Sequence, residues 1–190
     1  MSLRDLIEKN RSYRRFHQDV QISSHTLREL VDLARLSASA SNRQPLRFYL
    51  SNAVQTNGVI FSTLKWAGYL RDWPGPAEGE RPSAYIILLN DTEISKTPGC
   101  DQGIAAQSIM LGAAERDLGG CMIGSVDRAQ LSATLSINPR YEILLVLALG
   151  KPAEEVQIEP VGVDGDIRYW RDEAGIHHVP KRSLDDLIIR

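Results

Sequence analysis

The chain has 190 residues, of which 43% are hydrophobic and 24% charged, a composition typical of a globular domain with a substantial core. Its formal net charge of −2 argues against a basic nucleic-acid-binding face. It contains no long apolar run, and residues 1–10 lack the apolar core of a signal peptide. Cys100 and Cys121 have neither a CxxC partner nor a nearby histidine pair. We therefore expect one cytoplasmic domain over residues 1–190, with free thiols and no metal site.

The N-terminal segment combines a short helix with a basic turn. Ser2 is placed to cap an amphipathic helix, and the sequence RSYRRF follows it at residues 11–16. Three arginines near a helix end suit bidentate binding of a phosphate, and Ser12 adds a hydroxyl. A solvated basic turn is the alternative interpretation of the same residues.

A second helix leads into the stretch Ser37–Phe48, which carries the most informative local pattern. Ser23 predicts the N-cap of this helix, and the 3.6-residue apolar period continues to about Leu36. Pro45 ends helical structure and favours an extended Gln44. The short polar residues before it offer hydroxyl, amide and backbone donors to a planar polar ligand. An ordinary helix exit would have a similar composition.

The middle of the chain predicts a helix between two strands. Residues 47–50 indicate a short strand, and residues 59–70 indicate a helix. Residues 73–82 are rich in proline and glycine and predict a loop that covers a site. Residues 84–90 form a continuous apolar run, which is typical of a strand buried on both faces.

The longest predicted helix covers residues 101–118 and ends at Gly119-Gly120. Its many alanines, and Gly112 in its interior, indicate close approach by another helix or by a second subunit, although a well-packed central helix would explain them equally well. Its predicted apolar stripe consists of Ile104, Ser108, Leu111 and Leu118.

The last third alternates short strands and turns. Residues 121–125 predict a strand and turn with exposed backbone donors, and Asp127 with Gln130 predicts a capping box. Residues 143–149 predict a second buried strand. With the other elements, these strands indicate an α+β fold in which helices wrap a small sheet.

At this point the sequence resembles the FMN-dependent nitroreductase family over nearly its whole length. Each motif is weak alone, but their number and order make the resemblance strong. They are RSYRRF at residues 11–16, SASNRQPLRF at 39–48, LGGCMIG at 118–124 followed by GKP at 150–152, and VPKRSL at 179–184.

The resemblance implies a nitroreductase-like α+β fold with a small mixed β-sheet, in a domain-swapped homodimer that binds FMN at the subunit interface. The implied FMN contacts place a phosphate near Arg11 and the flavin pyrimidine edge near Arg14, with the segment around Ser39 supplied by the partner subunit. The full implied set is Arg11, Ser12, Arg14, Ser39, Ala40, Ser41, Asn42, Gln44, Ile123, Gly124, Lys181 and Arg182.

The implied chemistry is hydride transfer from NADH or NADPH to FMN, then reduction of a nitroaromatic, quinone-like or other small acceptor by a ping-pong mechanism. A fixed Arg14 charge stabilises negative charge on the flavin, and a backbone N–H at Gly124 or its neighbour meets flavin N5. No side-chain nucleophile or base is required, and the absence of GxGxxG argues against tight nicotinamide binding.

Two alternatives stay open. One is an FMN-binding relative without nicotinamide-dependent reductase activity, such as a flavin-degrading or carrier protein. The other is a non-flavin dimer whose basic clusters hold another phosphate. Asn10, Ala38 and Leu46 depart from the family pattern, which leaves the acceptor open. We interpret His177 and His178 as turn residues of the tail, and Cys121 as a packed small residue.

Overall fold

The computed structural model describes residues 1–189 and divides them among six α-helices and eight β-strands. The helices are α1 (Leu3–Lys9), α2 (Ser24–Leu36), α3 (Val54–Ser62), α4 (Asp101–Glu115), α5 (Arg128–Thr134) and α6 (Leu184–Leu187), with a 3₁₀ turn at Ala40–Asn42. The strands are β1 (Phe16–His17), β2 (Leu46–Ser51), β3 (Ala84–Asp91), β4 (Gly119–Ile123), β5 (Tyr141–Pro152), β6 (Val156–Pro160), β7 (Trp170–Arg171) and β8 (His177–Lys181).

Five strands form the main sheet, and β5 lies at its centre. β5 pairs with β3, which pairs in turn with β2. β5 also pairs directly with β4 and, at its C-terminal end, with β1. All of these pairings are antiparallel. The predicted α+β architecture is confirmed, and both predicted buried strands lie in the middle of this sheet.

Helices cover both faces of the main sheet. Alternate residues of β3 point to opposite faces, so each face contributes side chains to a core. Ile86 and Leu88 pack with α2 and α4, whereas Tyr85 and Ile87 pack with α3 and α5. Every residue of β3 is buried, which explains its continuous apolar sequence.

Helix α4 packs closely against α2, as the small residues predicted. A Cβ atom added to Gly112 would collide with Leu33 and crowd Leu30 of α2. The predicted apolar stripe is wrong, because α4 buries the face that carries Ala105 and Ile109 and leaves Ile104 40% exposed. The alanine-rich face is buried because only small side chains allow α2 to approach so closely.

Two predicted boundaries are also wrong. Helix α4 ends at Glu115, and Asp117 has a positive φ of 57°, so Gly119 and Gly120 begin β4 instead of ending the helix. The predicted helix over residues 59–70 is displaced, because α3 ends at Ser62 and Leu64 forms a bridge to Val126.

The predicted loop over residues 73–82 is anchored to the rest of the domain. Arg15 forms an ion pair with Glu80, and the N–H of Phe16 donates to the carbonyl of Glu80 at 3.0 Å. Gly75, with φ of 114°, lies directly against the ring of Trp66. These contacts hold the segment beside the N-terminal strand.

A second sheet of three strands was not predicted. In it β6 and β8 are parallel and β7 is antiparallel to β8. This sheet brings residues 177–181 back toward the N-terminal basic segment. None of the helices in the described part of the chain is long and apolar enough to cross a membrane.

Candidate functional site

A cavity of about 340 Å³ lies where the N-terminal segment, β4 and β8 meet. Its position follows from the backbone, since Ser12 bridges to Gly120 of β4 and the N–H of Tyr13 donates to the Gly120 carbonyl at 3.0 Å. Gly120 has no room for a side chain beside Ala148 and Met110, which explains the glycine here. The lining includes Arg11, Ser12, Arg14, Met122, Tyr169, His177 and Lys181.

The lining of this first cavity is rich in cationic side chains. Arg11 follows α1 and donates from Nη2 to the carbonyl of Ile7 at 2.5 Å, while its Nε is buried without a partner among the described residues. Lys181 reaches the same cavity from the end of β8, and the exposed Ser12 adds a hydroxyl. Two cations and a hydroxyl form a donor set that suits a phosphate. Arg182 is exposed and lies outside this lining.

Arg14 is the most constrained side chain of the first cavity. It is 9% exposed, and its Nη1 donates to the carbonyl of Ser12 at 3.2 Å. The guanidinium carbon lies 4.8 Å from the ring centroid of Tyr169, which is a cation–π contact. These contacts hold a permanent positive charge at the wall of the cavity.

Glu154 holds the backbone that carries Arg14. Its Oε1 accepts from the N–H of Arg14 and, at 3.0 Å, from the N–H of Arg15. Its Oε2 accepts from Arg171 at 2.7 Å, and the Glu154 side chain is only 1% exposed. A buried carboxylate with three charge-assisted or backbone partners fixes this segment firmly.

His177 and His178 both lie in β8, and His177 is fully buried, so their interpretation as turn residues of the tail is wrong. His177 Nε2 lies 3.1 Å from Arg14 Nη1, and its Nδ1 is buried without a partner among the described residues. Burial, and then the neighbouring Arg14 charge, lower the pKa of His177 to about 4. The ring is therefore neutral at neutral pH.

A second cavity, of about 140 Å³, adjoins the first and shares Arg14 and Met122 with it. Its lining includes Ile123 at the end of β4, Gly124 directly after it, and residues 65–68. Cys121 lies in the same wall. Burial raises the pKa of its thiol, as expected for a packed cysteine of low reactivity. The two cavities bring together Arg11, Ser12, Arg14, Ile123, Gly124 and Lys181.

The segment Ser39–Gln44 lies elsewhere in the chain and lines a different cavity, of about 180 Å³, through Ser39 and Gln44. Asp101 organises it, since its carboxylate accepts from Ser39 Oγ at 2.6 Å and from the N–H of Ala40 at 3.0 Å. Ser39 Oγ in turn accepts from the N–H of Gln44 at 2.9 Å. The hydroxyl of Ser39 is thus used within the loop.

The tip of this loop has unusual backbone geometry. Ser41, Asn42 and Gln44 each have a φ of 52°, and all three are exposed. The predicted extended conformation of Gln44 is wrong, because the hydrogen bond between its N–H and Ser39 holds the chain in a tight turn. Non-glycine residues in this region carry strain, which is common at binding sites.

Four residues that shape these sites were not among the candidates drawn from the sequence: Glu154, Tyr169, His177 and Asp101. The alternation of apolar and polar residues is weak around 177–181, so no local pattern predicts a strand there. Glu154 and Asp101 are single carboxylates whose partners lie far away in sequence. Only the tertiary structure shows what they hold.

The chain matches the nitroreductase family over residues 7–58 and 80–151, and it belongs to that family. No curated protein matches the chain. Among solved structures, a nitroreductase family protein from Streptococcus pneumoniae TIGR4 aligns over the full length of both chains with a TM-score of 0.74 and 15% identity.

Two further structures with the same fold carry functional descriptions. A protein from Exiguobacterium sibiricum 255-15, described as a nitroreductase in complex with FMN, aligns with a TM-score of 0.67 and 17% identity over 80% of this chain and 89% of its own. CLA-ER, an enone reductase of gut-bacterial fatty acid saturation, gives 0.69 and 17% identity over 81% and 90%. At such identities the similarity establishes the nitroreductase-like fold predicted from the motifs.

Proposed function

We propose that this nitroreductase family member is an FMN-dependent oxidoreductase that uses NADH or NADPH to reduce nitroaromatic, quinone-like or other small electron acceptors in a ping-pong cycle. The observation that carries the proposal is the convergence of Arg11, Ser12, Arg14 and Lys181 on one cavity of about 340 Å³. This cavity continues through Arg14 to Gly124. Family membership and an FMN complex among its structural neighbours support the choice of cofactor.

The residues present fit FMN. A phosphate needs several donors, and the cavity lining offers Lys181, Ser12 and Arg11, whose Nε has no partner among the described residues. The volume falls in the range of about 300–1,000 Å³ typical of cofactor sites.

The chain contributes binding, orientation and electrostatics. Bound FMN supplies the hydride chemistry itself. Arg11 and Lys181 hold its phosphate, Ser12 meets the ribityl chain, and Arg14 keeps a fixed positive charge where negative charge develops. The backbone after Ile123 offers an N–H at Gly124 to the ring. The mechanism requires no side-chain nucleophile or general base.

We infer that the active form is a homodimer, with Ser39, Ala40, Ser41, Asn42 and Gln44 completing the site of the partner. The tip of this loop is exposed and does not line its own chain's phosphate cavity, which supports the assignment. Leu3 and Ile7 of α1 and Ile104 of α4 are 64%, 44% and 40% exposed. An apolar surface of this kind is typical of a subunit interface.

We assign the binding of the electron acceptor to residues between 58 and 80, which the family match does not include. Residues 65–68 line the second cavity and lie between the two matched ranges. The half-buried Trp66 and the exposed Lys65 are therefore the side chains that we expect to select the acceptor. A small space bounded by an indole favours compact planar acceptors.

An absorbance spectrum of the purified protein, recorded before and after anaerobic NADH or NADPH, tests the proposal. A flavin band that bleaches supports both cofactor and donor. A flavin band that persists moves the function to an FMN-binding relative without nicotinamide-dependent activity. A colourless protein that ignores added FMN overturns the flavin assignment.

Arg11→Ala should weaken FMN binding by about 1.5–3 kcal/mol, because one charged hydrogen-bonding partner of the phosphate is lost. Fluorescence titration of the flavin-free protein measures this loss. Arg4→Ala is the matched control, since Arg4 is an exposed arginine just before it in the chain, on α1, paired only with Glu8 in the i,i+4 manner. Equal flavin affinities for the two variants would place the phosphate elsewhere.

A further inference from the structure

The imidazole of His177 makes a polar contact with Arg14, and the chemistry of the pair fixes the direction of this hydrogen bond. A guanidinium only donates hydrogen bonds, so His177 Nε2, 3.1 Å from Arg14 Nη1, must be the acceptor. The ring proton is then on Nδ1, which is buried without a partner among the described residues. The fold thus leaves one buried N–H unpaired, an unfavourable arrangement by itself.

The same histidine is held in this orientation from two sides. Its ring centroid lies 5.2 Å from that of Tyr169, which is also the ring that Arg14 lies over at 4.8 Å. Its backbone N–H donates to the carbonyl of Glu155, next to the Glu154 that binds the Arg14 backbone. Arg14, Tyr169 and His177 therefore form one packed unit.

We propose that His177 is a positioning residue that accepts a hydrogen bond from Arg14 through a neutral ring and thereby fixes the Arg14 guanidinium toward the flavin. This inference rests on the proposed function for the flavin and on the observed contact for the positioning. Without this acceptor, the guanidinium keeps its contacts with the Ser12 carbonyl and the Tyr169 ring but loses one of the groups that fix its rotamer.

The contact itself is tested in the flavin-free protein by ¹⁵N NMR of the histidine rings. We expect His177 to show a protonated Nδ1 and an unprotonated Nε2 between pH 6 and 8, and we expect Arg14→Ala to shift the Nε2 signal. A protonated Nε2, or an Nε2 signal indifferent to Arg14→Ala, overturns the inference. This readout does not depend on flavin, so it stands even where the proposed function fails.

The functional consequence is tested by a double-mutant cycle on FMN affinity. His177→Leu should weaken binding about tenfold in the wild-type background and less than about twofold in an Arg14→Ala background, because the histidine acts only through the arginine. His177→Gln retains an acceptor and should bind FMN within about threefold of the wild type. Equal losses in the two backgrounds would contradict the positioning role.

Two controls separate positioning from general damage. His178→Gln changes the next residue of β8, whose side chain pairs with Glu159 and Asp172 instead of Arg14, and should leave FMN affinity unchanged. The reduction potential of the bound flavin should move in the same direction for His177→Leu and Arg14→Ala. If His177→Leu alone fails to fold, His177→Gln and Arg14→Ala still complete the spectroscopic test.

Discussion

Two segments of this chain bear most of the residues assigned to the flavin, and each is held by one buried carboxylate. Glu154 binds the backbone of Arg14 and Arg15, and Asp101 binds Ser39 and Ala40. Their surroundings differ. Glu154 also pairs with the Arg171 guanidinium, whereas the two donors to Asp101 are neutral.

The two segments differ also in what they present. The first places Arg11 and Arg14 in the lining of a cavity of its own chain, and the second exposes its tip to solvent. The first segment, which forms one half of the proposed flavin site, needs rigidity because its charges must be preorganised. A half-site displayed outward needs a defined shape at its surface, which the left-handed residues Ser41, Asn42 and Gln44 provide. The contrast supports a composite site between two copies of the chain.

Removal of the Glu154 carboxylate, which has a charged partner, should have the largest effect on stability. Glu154→Ala leaves the largely buried Arg171 guanidinium and two backbone N–H groups without their acceptor. We therefore expect the free energy of unfolding to fall by about 3–5 kcal/mol. Urea denaturation at fixed protein concentration measures it. The control is Glu155→Ala, next along the chain and more exposed, whose loss should stay within about 0.5 kcal/mol. A loss of only about 1 kcal/mol for Glu154→Ala would mean that the segment is held by other contacts.

The carboxylate of the second segment should matter less for stability. Asp101→Ala leaves the half-buried Ser39 hydroxyl and the N–H of the exposed Ala40 without their acceptor, so we expect a loss of about 2 kcal/mol, the middle of the range for an unsatisfied polar group. If the loop completes the partner's site, FMN affinity should fall as well. Unchanged FMN affinity in a folded Asp101→Ala protein would remove Ser39–Gln44 from the flavin site.

The parts of the fold that the sequence predicted correctly depend on local physics. Ser2 and Ser23 cap their helices as expected, because a serine hydroxyl accepts from the N–H three residues later in both cases. Strand β3 was predicted from composition alone, since a strand buried on both faces needs a continuous apolar run.

The parts that it missed depend on contacts distant in sequence. The parallel pairing of Val156–Pro160 with His177–Lys181 has no local pattern, and β7 is only two residues long. The helix predicted over 59–70 is wrong because the apolar residues after α3 pack into the core from a β-bridge and a turn instead of from a helix. The candidate site followed from motifs in order, but the support from Glu154, Asp101 and His177 needed the tertiary structure.

The first segment should also show a pH dependence that the second lacks. The pKa of His177 is lowered to about 4 by burial and by Arg14, so protons bind preferentially to the unfolded chain as the pH falls below 6.5. Between pH 7 and pH 5 the wild type should lose about 2 kcal/mol more unfolding free energy than His177→Gln, which cannot titrate there.

Neighbouring charges do not mask this difference. Arg14, Glu154, Arg171 and His178 face His177, and all four are present in both proteins, so their contributions cancel in the comparison. Hydrogen bonds with Asp172 and then Glu159 raise the pKa of His178. Its stabilising contribution is therefore complete below pH 6.5 and is lost only as the pH rises. Parallel stability curves for wild type and His177→Gln would show that the imidazole is not kept neutral by its surroundings.

The smallest expected effect on stability separates Ser39, which makes the internal hydrogen bonds of the second segment, from Ser41 at its exposed tip. Ser39→Ala removes a hydroxyl that donates to Asp101 and accepts from the Gln44 N–H, so we expect stability to fall by about 1 kcal/mol. Ser41→Ala, its control, changes an exposed hydroxyl on the same turn and should stay within about 0.5 kcal/mol. Thermal or urea unfolding of both variants measures the contrast. If Ser41→Ala proved the more destabilising, the tip itself would be part of the loop's internal support, and its exposure would no longer point to a partner.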